Sequence, residues 1–211
     1  MINKIVAHRG FWKRESGEEF FESNSLLAIN LALKSGWGIE IDIRDQNNEL
    51  IICHDPPTQK MPLFNELNLK SCKSLVALNL KSSGLHEHFK KIKGNLKLTD
   101  YFFFDLSYPE EYKYSSLGFE VATRRSEYEE TKESDFVWVD SFSTDWWMNL
   151  KFLKETENSK SKFVIVSPEL HKRNHREAWK YFKRHLYEKS NFFICTDYPL
   201  DLQLYLESYD D

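Results

Sequence analysis

Cysteine, glycine and proline are all scarce in this chain, and each scarcity removes a class of protein. Seven glycines and six prolines in 211 residues are too few for a collagen-like or low-complexity chain. Three cysteines, an odd number with Cys53 and Cys195 inside apolar runs, do not make a disulfide framework. They read as free thiols of a reducing compartment, and no zinc or redox role is expected of Cys53, Cys72 or Cys195. Basic residues are not in excess: 29 Lys and Arg face 33 Asp and Glu, for a formal charge of −4. A general nucleic-acid binder, whose basic surface carries most of its affinity, is therefore not expected. No apolar run reaches membrane-spanning length and no charged-then-apolar leader precedes the first strand signal, which makes a cytoplasmic chain without membrane insertion the expectation. Gly10 stands alone after the first apolar run, so the glycine-rich phosphate loop of a doubly wound sheet is also lacking.

What the chain does have is a sizeable apolar complement, 41% hydrophobic and 15% aromatic, enough for one compact domain over residues 1–211. Short β-rich runs predict strands at 4–7, 39–43, 75–80, 101–104, 119–122, 136–139, 163–166 and 192–195. A further run at 50–53 pairs back on the second strand through the polar turn Asp45-Gln46-Asn47-Asn48. Helical patterns fill most of the gaps, at 25–35, 85–93, 110–116, 127–132, 145–155, 175–188 and 200–206. Eight β-α repeats predict an α/β fold of the compact (β/α)8 TIM-barrel type, at a length near the lower end for that fold.

Glu40-Ile41-Asp42-Ile43-Arg44 carries the most chemistry. Strand side chains alternate between faces, so Ile39, Ile41 and Ile43 share one face while Glu40, Asp42 and Arg44 share the other. Two adjacent carboxylates do not stay ionised in a closed interior without a compensating cation, and a hard metal ion is the simplest one. His8-Arg9-Gly10 ends the first apolar run and His54-Asp55 follows Leu50-Ile51-Ile52-Cys53. Asn79 and Lys81 end the third strand, and Asp105, Thr123, Asp140, Glu169 and Asp197 close later ones. Barrel active sites sit at the C-terminal strand ends, where these residues cluster. Two imidazoles, a carboxylate pair and several cations there point to metal-assisted chemistry on a phosphate.

In these motifs the sequence resembles the glycerophosphodiester phosphodiesterase family, within the superfamily of barrels that includes phosphatidylinositol-specific phospholipase C. The family's His-Arg-Gly, Glu-Asn-Thr, Glu-x-Asp, His-Asp and Thr-Asp-x-Pro motifs appear in order as His8-Arg9-Gly10, Ser23-Asn24-Ser25, Glu40-Ile41-Asp42, His54-Asp55 and Thr196-Asp197-Tyr198-Pro199. Two positions depart from the pattern. Asn79-Leu80-Lys81 replaces a Glu-x-Lys whose glutamate is the family's third metal carboxylate, and Ser23 stands where the glutamate of Glu-Asn-Thr would be.

The resemblance implies a phosphoric diester hydrolase acting on a glycerophosphodiester or a related alcohol- or sugar-linked phosphodiester, a reaction of lipid metabolism. It implies Mg2+ or Ca2+ at Glu40, Asp42 and Asn79, and positive charge on the phosphate from Arg9, Arg44 and Lys81. It also implies acid-base work by His8 and His54, with His8 as base and His54 as acid. The expected partner is a small phosphodiester. Two rivals stay open: a superfamily lyase that releases a cyclic phosphate, and a non-catalytic phosphate-ligand barrel, which Asn79 makes credible. Plainer expectations hold elsewhere. Glu40 and Asp42 could pair with Arg44 or Lys81, and His171, His175 and His185 lie in a basic helical run read as a solvated face. His86 and His88 make a poor metal pair, and Trp12, Trp146 and Trp147 either wall the pocket or pack in the core.

Overall fold

The computed structural model describes residues 4–69, 74–94, 100–130, 134–157 and 159–208. Strands β1 (Ile5–His8), β2 (Gly38–Gln46), β4 (Val76–Leu80), β5 (Tyr101–Phe104), β6 (Ala122–Arg125), β7 (Phe136–Val139), β8 (Lys162–Val166) and β9 (Phe192–Thr196) are all parallel, in the order β5-β4-β2-β1-β9-β8-β7-β6. The ring comes round between β5 and β6, where Phe103 bridges Val121 and donates its N–H to the Glu120 carbonyl at 3.0 Å. This nearly closed barrel, with helices between its strands, is the predicted (β/α)8 architecture. Strand β3 (Glu49–Ile52) is the predicted hairpin return, antiparallel to β2. Its turn places Asn47 and Asn48 at φ of 52° and 64°, a left-handed pair that asparagine tolerates and a tight hairpin requires.

Strand alternation divides the core into two layers. Outward residues such as Ile39, Ile41, Ile43, Phe103, Val137, Ile165 and Ile194 pack under the helices. Inward residues such as Val6, Ala77, Phe102, Phe104, Phe136, Trp138, Val164 and Phe193 form a separate plug inside the barrel. The helices are α1 (Leu26–Lys34), α2 (His86–Ile92), α3 (Tyr108–Ser116), α4 (Leu150–Glu157), α5 (Arg176–His185) and α6 (Pro199–Glu207). Helix α1 starts where the Ser25 hydroxyl accepts the Ala28 N–H at 3.2 Å, and it buries Ala28, Ile29 and Ala32 against the sheet. A 3₁₀ turn (Pro168–His171) follows β8.

The region around β6 departs from the sequence pattern. The strand expected at 119–122 lies instead at Ala122–Arg125, because its charged residues find partners. Arg125 reaches Glu155 at 2.6 Å and lies over the Trp146 and Phe152 rings, while Arg124 pairs with Asp105. The helix expected at 127–132 is not formed by its described residues, 127–130. The Glu127 carboxylate instead accepts the N–H groups of Phe142, Ser143 and Thr144 at 3.1, 2.6 and 3.1 Å, fastening this loop to the one after β7. A side chain that satisfies distant backbone donors competes with local helix formation. Residues 131 and 132 of that expected helix, and Cys72, lie outside the described residues. Cys53 and Cys195 are free and buried, as expected. Among the described residues no helix is long and apolar enough to cross a membrane.

Candidate active site at the barrel mouth

Following the inward residues along each strand leads directly to the charged cluster. Val6 is followed inward by His8, Ala77 by Asn79, Ala122 by Arg124, Trp138 by Asp140 and Cys195 by Asp197. The apolar plug thus gives way to polar groups at the C-terminal ends. On β2 the inward positions turn polar above Gly38: Glu40 is 1% exposed and Asp42 fully buried.

Asp42 is the hub. Its Oδ2 takes the Asn24 Nδ2–H at 2.8 Å and sits 2.9 Å from Arg9 Nε, and its backbone N–H returns a bond to Asn24 Oδ1 at 3.2 Å. Lys81 Nζ lies 3.5 Å from Asp42 Oδ1 and 3.3 Å from Asp105. Arg9 is held in the left-handed region at φ 58°, with Gly10 behind it at 87°. A Cβ at Gly10 would stand 2.6 Å from the Ala28 backbone, so only glycine lets α1 close on this turn. The Arg9 N–H also points to Glu40 Oε2 at 3.3 Å.

His8 faces two carboxylates. Its Nδ1 is 2.6 Å from Asp197 Oδ1 and its Nε2 is 3.8 Å from Glu40 Oε2. Burial works against its protonation, but the bond to Asp197 and the charge of Glu40 outweigh it and raise the imidazole above its ordinary value. Burial and the Asp42 charge raise Glu40, with His8, Arg9 and Lys81 opposing. Asp197 moves the other way: burial would raise it, but His8 and Lys13, whose Nζ is 2.8 Å from Oδ2, hold it down.

The other predicted residues are placed as follows. Arg44 donates to the His54 carbonyl at 2.9 Å, and Cys53 N–H bonds the Asp42 carbonyl at 3.0 Å, which seats the His54 loop beside the end of β2. The His54 side chain is 43% exposed, with Nδ1 2.9 Å from Asp55. The carboxylate pair meets Arg9 and Lys81, whereas Arg44 turns to the His54 backbone. Trp147 is core; the Trp12 and Trp146 indoles donate to the carbonyls of His8 and Asp140 at 3.1 and 2.7 Å and so brace the mouth.

The solvated face expected of the 171–185 run holds for Lys172, Arg176 and Arg184, which are exposed, and requires correction at His171 and His175. His171 binds Asp140 at 2.7 Å, and His175 is buried between Glu15 at 3.2 Å and Glu169 at 3.9 Å, its ring tilted against Trp179 at 4.2 Å between centroids. The turn after β8 carries these imidazoles inward before α5 begins, which a helical projection of the run conceals. The sequence alone assigns no definite role to Asn24, Lys13, Arg124 or Glu169. For Asn24 the readable signal was its place at the helix start within a recognised motif; the others meet the mouth only through tertiary folding.

Asp42 Oδ1 and Asn79 Oδ1 are buried and without a hydrogen-bond donor among the described residues. Asp42 and Asn79 are register partners on β2 and β4, and Glu40 shares their face. These three oxygen donors suit a hard cation such as Mg2+ or Ca2+. Among the described residues there is no group of three His, Cys, Asp or Glu disposed to hold a metal, so a cation here would rest on two carboxylates and one amide. Beside this cluster a cavity of about 480 Å³ opens at the ends of β5, β6 and β7, with Asp105, Tyr108, Arg124, Glu129 and Trp138 among its walls.

No family model matches the chain and no curated protein matches it closely enough to count. Solved structures do match. A glycerophosphodiester phosphodiesterase from Agrobacterium tumefaciens superposes with a TM-score of 0.68 at 17% identity, covering 99% of this chain and 100% of that one. A phosphodiesterase from Oleispira antarctica, solved with its product sn-glycerol-3-phosphate, superposes at 0.64 and 14% identity, covering 98% of each. Over essentially its whole length, the chain has the barrel fold of these phosphodiesterases.

Proposed function

We propose that this chain is a phosphoric diester hydrolase of the glycerophosphodiester phosphodiesterase type, dependent on Mg2+ or Ca2+. The observation that carries the reading is the convergence of His8, Arg9, Glu40, Asp42, Asn79 and Lys81 on one barrel mouth, on a fold shared with enzymes of that activity. The metal, held by Glu40, Asp42 and Asn79, would supply Lewis-acid polarisation of the phosphoryl group.

The chain's own residues do the rest. Arg9 and Lys81 place positive charge beside Asp42, where phosphoryl oxygens bind, and Arg44 adds to that field from the end of β2, against the His54 loop. His8 has its Nδ1 committed to Asp197, so proton transfer falls to Nε2, which faces Glu40 and the mouth. His54, with Asp55 on Nδ1, presents its other nitrogen as the acid for the departing alkoxide. The alcohol occupies the cavity at β5–β7, beyond the Lys81–Asp105 pair.

The direct test is hydrolysis of glycerophosphodiesters and bis(p-nitrophenyl) phosphate across divalent metals, with products followed by phosphorus NMR. Metal-dependent release of a monoester supports the reading. Accumulation of a cyclic phosphate would assign the lyase reaction instead, and no turnover with any metal would leave a phosphate-binding barrel.

A further inference from the structure

Glu169 is a buried carboxylate to which the proposed reaction gives no task. It stands in the 3₁₀ turn after β8, 9% exposed, and burial raises its carboxyl above the ordinary range against the donors around it. A buried ionisable group seldom improves on an apolar residue of the same volume for stability alone. The contacts of Glu169 point to another use. Oε1 accepts the Thr196 hydroxyl at 2.5 Å and the Asp197 N–H at 3.2 Å, while Oε2 takes the Ser167 hydroxyl. Ser167 is itself pinned, since its hydroxyl accepts the Trp179 indole N–H at 2.9 Å and its N–H bonds the Cys195 carbonyl at 2.9 Å.

We infer that Glu169 is a positioning residue: by holding the Thr196–Asp197 turn at the end of β9 it fixes the Asp197 carboxylate, and through it the ring orientation and tautomer of His8. The inference rests on the phosphodiesterase reading for its catalytic consequence only. Asp197 is gripped at two points, its backbone N–H by Glu169 and its Oδ2 by Lys13, which leaves Oδ1 aimed at His8 Nδ1. Removing the Glu169 carboxylate leaves the buried Asp197 N–H and the Thr196 and Ser167 hydroxyls without their acceptor, and the turn must move to satisfy them. A catalytic group misplaced by about 1 Å can cost on the order of 10²-fold in rate. His175, 3.9 Å from Glu169 and packed at a tilt against Trp179, backs the carboxylate.

The test compares Glu169→Ala, Glu169→Gln, Asp197→Ala and the double variant Glu169→Ala/Asp197→Ala in the full chain. Glutamine keeps an amide oxygen that can accept both Thr196 and Asp197, so Glu169→Gln should stay within about threefold of wild type. Glu169→Ala should lower kcat by about 10- to 100-fold with KM little changed. On the Asp197→Ala background the Glu169→Ala change should add less than about twofold, because its effect passes through Asp197. Effects that multiply in the double variant, or full kcat in Glu169→Ala, overturn the inference. If Glu169→Ala does not fold, Thr196→Val removes one donor at constant volume; a kcat lowered a few-fold supports the inference and an unchanged one overturns it. Nitrogen-15 NMR of the His8 imidazole decides independently of turnover. A single Nδ1–H tautomer in wild type and Glu169→Gln, mixed in Glu169→Ala, supports positioning. Tautomers indifferent to residue 169 overturn it, and an inactive wild type with the first pattern would sink only the phosphodiesterase reading.

Discussion

Along β1, β2 and β4 the inward residues beneath the mouth are small, Val6, Gly38 and Ala77, whereas β5 and β7 send in Phe102, Phe104, Phe136 and Trp138. The aromatics pack on one another, Phe104 stacked on Trp138 at 4.2 Å between centroids and Phe102 tilted against Phe136, and fill the interior from one side. The small arc has no room to spare: a Cβ at Gly38 would meet the Leu75 carbonyl at 2.8 Å. One arc thus supplies the volume of the plug, and the other is freed to bring polar side chains inward above it. On the proposed reading the small arc carries the reacting groups, while the opposite side of the barrel offers the Arg124, Asp140 and Glu169 ends that wall and brace the site.

That division predicts unequal sensitivity to conservative changes. Asp42→Asn keeps volume but removes the charge that Arg9, Lys81 and a cation share, and turnover should fall by about 10³-fold or more with the folded circular-dichroism spectrum retained. Asp140→Asn, on the aromatic arc, should cost about tenfold or less in the same assay. Equal losses at the two positions would dissolve the distinction between a reacting arc and a bracing one, and full activity of Asp42→Asn or of chelated enzyme would remove the metal from the reaction.

The histidines sharpen the comparison within the reacting arc, since His8 is braced by a buried carboxylate and His54 sits in an exposed loop. Each alanine variant should lose on the order of 10²-fold against an alkyl phosphodiester. With a p-nitrophenol leaving group, which needs no protonation, the His54→Ala deficit should shrink to a few-fold while that of His8→Ala persists. Equal deficits on both substrates would take the acid role from His54.

The same contrast explains what could be read in advance. Glu40, Asp42, Asn79 and Lys81 sit on or directly after strands, where a period of two tells which side chains face inward. Their identity as neighbours then follows from barrel topology. On the other arc the strand 119–122 was displaced and the helix 127–132 absent, because Arg124, Arg125 and Glu127 are paid for by partners far away in sequence. His171, His175 and Glu169 belong to a 3₁₀ turn and a loop, where no period exists to reveal an inward direction, so in a run rich in Lys and Arg they look exposed. Local pattern is legible where the backbone repeats and silent where a side chain's partner is chosen by tertiary contact.

Asn79 tests how much charge the reacting arc needs. Beside Asp42 in register, it contributes an oxygen without a formal charge, so Asn79→Asp should tighten Mg2+ or Ca2+ binding by about tenfold in calorimetry, and Asn79→Ala should weaken it. Turnover need not follow affinity, since a more fully neutralised cation polarises phosphate less. Affinity unchanged in both variants would place Asn79 outside the coordination shell and make Asp105 the next residue to mutate.

The smallest effect belongs to the bracing arc. Burial would raise the Glu127 carboxyl, but the N–H groups of Ser143 and Phe142 and the Ser143 hydroxyl overcome it and hold the group at about 2, against an ordinary 4.5. A depressed carboxyl stabilises the fold above its unfolded value and ceases to do so as pH falls through its folded one. Because Glu127 is partly exposed, the full shift is not realised as stability, and Glu127→Ala should cost about 1 kcal/mol at pH 7. In urea titrations the gap between wild type and variant should persist down to about pH 4.5, narrow below it and close near pH 2. A gap that stays constant across that range would mean the clasp acts by packing alone, and no gap at pH 7 would show that the loops after β6 and β7 hold together without it.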